Sequence, residues 1–198
     1  MKKMIAVFIC LVIGLSLVGC KNVEKQNAEA RTILTSVLNG ERNFTFKSLV
    51  WNKTTEENLK RFNVPTVYSA RNDFVPVAYM FVDLDSDGVD ELIVADGFAI
   101  LFLILRYDGE MVYGYIVEKI NEVGADGSFL INRNNSHSEI SRVTFDGLFG
   151  NVSPLAYKDD TAEVYQLNWE DAEKEAVEAY FADWEVNTTK MEWVNIDY

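Results

Sequence analysis

From Val75 onward the chain is cut into short apolar runs by one repeated dipeptide: Asp87-Gly88, Asp96-Gly97, Asp108-Gly109, Asp126-Gly127 and Asp146-Gly147. Asp tolerates, and Gly favours, the positive φ of tight hairpin turns, so Asp-Gly between Val-, Ile-, Leu-, Phe- and Tyr-rich runs is a strong short-range hairpin signal. Successive hairpins build an antiparallel meander, and this half of the chain is therefore committed to β-structure. Strands are expected near 76–82, 91–95, 100–107, 111–118, 128–132, 139–145 and 162–167. Residues 99–105 are unbroken apolar, which predicts a strand buried on both faces. The polar stretch from Asn132 to Ser138 predicts an exposed loop.

Helical spacing appears at the two ends. Ile33, Leu34, Val37 and Leu38 recur on one face of a segment from Ala28 to Leu38, and Asn39-Gly40 supplies a stop. Thr54 with Glu57 has the form of a capping box, predicting a second short helix to about Phe62, after an alternating Phe44-Thr45-Phe46 strand. Asn168 is a candidate cap for a helix to Trp184, with Ala172, Ala176, Val177, Tyr180, Phe181 and Trp184 on one side. Residues 191–198 alternate enough for a last strand. The expected fold is α+β: an antiparallel sheet meander packed by an N-terminal and a C-terminal helix. Residues 31–198 suit a single domain with a full core.

Residues 1–19 carry Lys2 and Lys3, an apolar stretch from Met4 to Val18 that is short for a membrane span, and small residues before Cys20. Leu17-Val18-Gly19-Cys20 resembles the lipobox of bacterial lipoprotein signals. That resemblance implies cleavage before Cys20, a diacylglyceryl thioether on its sulfur, and a fold anchored by lipid to the extracytoplasmic face of a bacterial cell membrane. Residues 20–30 then read as the lipidated cysteine and a polar tether. Cys10 would leave with the signal and Cys20 be consumed by the lipid, so no thiol remains for a disulfide or a nucleophile. The cleaved chain keeps 16 of its 18 basic residues against 31 acidic ones, a formal charge of 16 − 31 = −15, which excludes nucleic acid as a natural partner.

Within the first Asp-Gly segment, FVDLDSDGVDELIV, acids fall at alternate positions. With Asp83 as position 1, Asp85 is 3, Asp87 is 5 and Gly88 is 6; Val89 at 7 offers its carbonyl and Glu91 at 9 a further carboxylate. Ca²⁺ takes six to eight oxygens in a flexible shell, and closely spaced hard donors of this kind supply them. Thiolate and imidazole are absent from the segment, which argues against Zn²⁺ and Cu²⁺, and Mg²⁺ keeps more of its water. Position 12, a bidentate Glu in an EF-hand, is Val94, and Leu92-Ile93-Val94 reads as a strand. The loop resembles the strand-flanked calcium loops of FG-GAP repeats. The competing reading is an acidic turn, for which Asp-Ser-Asp-Gly is also suitable. No Lys or Arg lies between Asp73 and Arg106 to neutralise the acids, which favours a bound cation.

The order of motifs is similar to that of a family of small, uncharacterised lipoproteins and secreted proteins of Gram-positive, often gut-dwelling, bacteria. It is carried by SVLNGERNF, the acid loop, LRYDGEMVYGY from Leu105 to Tyr115, ADGSF from Ala125 to Phe129, the acidic C-terminal helix and Glu192-Trp193. The resemblance implies an exported single domain with an acid loop, and no reaction. Ser86 stands where Gly is usual in that loop. His137, the one histidine, reads as an exposed loop residue rather than part of a triad. Tyr107, Tyr113, Tyr115, Trp169, Trp184 and Trp193 invite a sugar-stacking reading, but aromatic residues in strands are ordinarily packing. No phosphate loop, CxxC pair or HExxH helix occurs. The expectation is a calcium-stabilised, non-enzymatic surface module for an unknown envelope or extracellular ligand. The alternative is a Ca²⁺-dependent hydrolase of envelope polymers or glycans, which needs two acids placed across a cleft.

Overall fold

The computed structural model describes residues 22–48, 53–64, 72–97, 101–134, 136–146 and 149–196. The expected signal segment and Cys20 lie outside them. Helix α1 (22–38) comes first, then β1 (Phe44–Ser48), β2 (Lys53–Glu57), a single 3-10 turn (Leu59–Arg61), β3 (Asn63–Val64) and β4 (Asn72–Asp73). The meander follows as β5 (Pro76–Val82), β6 (Glu91–Asp96), β7 (Leu101–Tyr107) and β8 (Val112–Glu118). A second run comprises β9 (Ile120–Val123), β10 (Phe129–Asn134), β11 (His137–Asp146), β12 (Phe149–Asp159), β13 (Val164–Leu167) and β14 (Glu170–Asp171). Helix α2 (Lys174–Asn187) and β15 (Val194–Asn195) close the chain.

The fold is α+β, as expected, but the strands form two main sheets rather than one. The first has the order β15-β5-β6-β7-β8-β1-β2, the second β14-β13-β12-β11-β10-β9. Pairing is antiparallel except between β1 and β8. Asp87-Gly88, Asp108-Gly109 and Asp126-Gly127 fall between consecutive strands, Asp96 ends β6 with Gly97 after it, and Asp146 ends β11, Gly147 lying outside the described residues.

Alternation along the central strands explains the layering. Leu92 and Val94 of β6 with Leu101, Leu103 and Leu105 of β7 face Leu34 and Val37 of α1 and the Phe44–Phe46–Phe62 cluster. Ile93, Ala95, Phe102 and Ile104 point the other way, onto Val123, Phe129, Ile131 and Val143 of the second sheet. Beyond that sheet, Trp184 packs with Ile140 and Ala156, and Phe181 lies against them. The molecule is thus four layers, α1, first sheet, second sheet and α2, and β6 and β7 read as continuous apolar runs because both their faces are covered.

Several expectations are corrected. Thr54 to Glu57 form strand β2, paired with β1, instead of opening a helix; the β-branched threonines suit that ladder, and Asn58 is the residue that caps, accepting from Lys60 N at 3.2 Å. The stretch from Asn132 to Ser138 belongs largely to strands β10 and β11, which continue almost to their turn. Asn168 does not cap α2: it and Trp169 have φ of 51° and 69°, as a two-residue type I′ hairpin loop between β13 and β14 requires. The helix instead starts at Lys174, and its buried stripe is narrow, Val177 and Trp184 with Phe181 between them. Helix α1 reaches back to residue 22, through the segment read as a tether. The last strand is two residues long, on the edge of β5.

A candidate metal centre between β5 and β6

The acid loop runs from the end of β5 to the start of β6, and its own carboxylates fold it. Asp83 accepts from Asp87 N (3.1 Å) and Gly88 N (2.8 Å), Asp85 from Asp87 N (3.3 Å), and Asp87 from Val89 N (2.8 Å). Glu91, in the first pair of the β5–β6 ladder, reaches back to accept from Leu84 N at 2.9 Å. Gly88 has φ of 89°, and a β-carbon there would lie 2.6 Å from Val23 Cγ1 of α1, so the position takes only glycine for two reasons. Ser86 also has positive φ, 64°, which is the physical ground for glycine being usual at that place.

This folding brings together Asp83, Asp85 and Glu91, each offering a carboxylate oxygen within 4.8 Å of the others, a set that could hold a metal ion. Of the remaining expected ligands, Asp87 turns outward to Arg106, and Val89 has its N–H on Asp87. Glu91 is 1% exposed. Burial pushes its carboxyl up to about 8, aided by Asp85 and Asp87 and opposed by the Leu84 N–H and Arg106. Asp85 is also raised, first by burial and then by Asp87, with Arg106 opposing. Negative charge is therefore crowded and partly desolvated here, and an added cation relieves it.

Sequence reasoning missed the counter-ion. Arg106 sets Nη2 3.3 Å from both Asp85 and Asp87, and Nε 3.5 Å from Glu91. Its guanidinium lies 4.8 Å from the Phe145 ring centre, over a strand of the second sheet. The signal was available: Leu92 pairs with Leu105, so one step along the hairpin Arg106 stands across from Glu91. One guanidinium faces the four carboxyl groups of Asp83, Asp85, Asp87 and Glu91, and with Glu91 protonated near neutral pH two negative charges remain, so the arginine shares the site without neutralising it. Asp90 is turned away, held by Asn27 Nδ2 at 3.1 Å and Arg31 Nε at 2.5 Å on α1.

Two further elements close on the loop. Gly127, with φ of 79°, presses its backbone so closely that a β-carbon would lie 2.6 Å from the Asp83 carbonyl oxygen. Beside the loop, Glu29, Asp87, Glu91, Arg106, Tyr107 and Asp108 help to line a cavity of about 340 Å³. The loop is thus where α1, the first sheet and the β9–β10 turn of the second sheet meet.

The other singled-out residues sit elsewhere. His137 is not in an exposed loop but in β11, with Nδ1 3.4 Å from the Tyr157 hydroxyl and 3.7 Å from Asp159, and its ring edge-on to Tyr157. Tyr115 is buried against Phe145, Trp193 packs on Phe102, and Trp184 donates from Nε1 to Ser128 Oγ at 2.7 Å. Trp169 is exposed. No described helix is long and apolar enough to cross a membrane. Comparisons with protein-family models, with curated proteins and with solved structures find no match.

Proposed function

We propose that this chain is a lipid-anchored surface protein of a bacterial envelope, a non-enzymatic binding or interaction module held rigid by Ca²⁺ in the loop from Asp83 to Glu91. The observation that carries the reading is the convergence of Asp83, Asp85 and Glu91 at the junction of α1 and both sheets. A cation there does not merely stiffen a turn; it fixes the loop on which three layers rest. Asp87 and the Val89 carbonyl complete the ligand set once Arg106 yields the Asp87 carboxylate, and water fills what remains. All-oxygen donors in a flexible loop favour Ca²⁺ over Mg²⁺. Loops of this type outside the cytoplasm hold calcium at about 10⁻⁴ to 10⁻³ M, which fits an exported protein. The lipobox before Cys20 supports the anchor.

Calorimetric titration of the detergent-solubilised lipoprotein with Ca²⁺ and with Mg²⁺ tests the metal. Saturable binding of one Ca²⁺, with Mg²⁺ weaker by tenfold or more, is expected. No heat and no saturation at several millimolar Ca²⁺ would reduce the loop to an arginine-neutralised acidic turn.

A further inference from the structure

We infer that the domain sits directly on the phospholipid headgroups, with the acid-loop end of its sheets facing the bilayer and the β12–β13 turn pointing away. The inference rests on the proposed lipidation of Cys20, and goes beyond it in assigning a membrane-facing surface. A spacer between lipid and domain would leave every orientation open. Helix α1, however, is packed from its first turn. Val23 Cγ1 occupies the space over Gly88, and Asn27 pairs twice with Asp90, donating to its carboxylate at 3.1 Å and accepting from its backbone N–H at 3.0 Å. Arg31 adds its ion pair to the same carboxylate one turn later.

Three peptide units separate Cys20 from Val23, a reach of at most about 11 Å even when fully extended. The headgroup layer on each side of a bilayer is itself about 5 to 8 Å thick. A lipidated Cys20 therefore holds the Gly88 end of the loop at or just above the headgroups, with phospholipid phosphates as the groups it meets. The strands lead away from that end. Phe145, which touches Arg106, pairs with Gly150, and Asp159 is nine residues farther along β12, roughly 30 Å at strand rise. The turn after Asp159 is the membrane-distal pole.

The full chain, made in a lipidating bacterial host, tests this as Ser86→Cys and Thr161→Cys variants. Both positions are exposed, neither is among the five expected ligands, and an acylated Cys20 leaves the introduced thiol alone to take a donor dye. In phosphatidylcholine–phosphatidylglycerol vesicles carrying an acceptor on the headgroup, energy transfer from position 86 should exceed that from position 161 severalfold. A flexible Gly-Ser insertion between Lys21 and Asn22 should erase the difference. Equal transfer from the two positions, or a difference that survives the insertion, overturns the seating. Intact mass without the diacylglyceryl group, with Cys20 itself taking dye, would instead contradict the anchor and remove the basis of the seating with it.

Discussion

Glu91 carries the site's electrostatic tension, because its carboxylate is buried, faces Asp85 and Asp87, and is partly compensated by one backbone N–H and one guanidinium. Its folded value of about 8 lies above the ordinary 4.5, so between those values the metal-free native state holds a proton that the unfolded chain has released. Stability from this residue is present below about 4.5 and is lost as pH rises through about 8. Denaturant titrations in chelator should show that decline, and Glu91→Gln should flatten it. Arg106 competes with the cation for the same oxygens. Arg106→Gln should lower metal-free stability yet tighten Ca²⁺ binding by about 1–2 kcal/mol, roughly five- to thirtyfold, in a calorimetric titration. Gly127→Ala meets the Asp83 carbonyl and a φ of 79°. It should cost about 2 kcal/mol or more in thermal unfolding and weaken calcium as well.

At the scale of elements, α2 is held by a narrow stripe whose anchor is Trp184, hydrogen-bonded to Ser128, which in turn donates to Asp126. Trp184→Phe keeps most of the packing and loses the indole bond, about 1 kcal/mol, whereas Trp184→Ala should cost about 3–5 kcal/mol, both read by chemical denaturation. The elements also show what was legible. Asp-Gly pairs and apolar alternation located β5 to β8, β10 and β11 because their turns are local and their patterns strong. Strand β12 was missed; it contains Gly150 and Pro154, both unfavourable inside a strand, and the sheet accommodates Pro154 opposite Ser141, beside a bulge. The pairing of β2, the split into two sheets and the early start of α1 depend on long-range contacts that no window of sequence contains. In the site, the acids and their spacing were legible, while Asn27 and Arg31 of α1, Arg106 of β7 and Gly127 of the β9–β10 turn arrive from three separate segments. The exception is Arg106, which hairpin register places.

The whole molecule makes the loop more than a surface feature. Four layers enclose three apolar clusters, and the acid loop touches α1 through Val23 and Asn27, the second sheet through Gly127, and β7 through Arg106. Calcium should therefore raise one cooperative transition of the entire domain rather than sharpen a local one. With affinity of about 10⁻⁴ to 10⁻³ M, 10 mM Ca²⁺ contributes about 1.4–2.7 kcal/mol, a Tm increase of roughly 3–10 °C for a domain of this size. The most direct measurement is the thermal melt of the wild type and of Asp85→Asn in chelator and in 10 mM Ca²⁺, with Mg²⁺ as control. A calcium-selective rise is expected in the wild type. In Asp85→Asn the rise is absent while the melt in chelator is unchanged or higher, since one repulsive charge is gone. A wild-type Tm indifferent to calcium, or an Asp85→Asn protein that keeps the full increment, would contradict a metal centre in this loop.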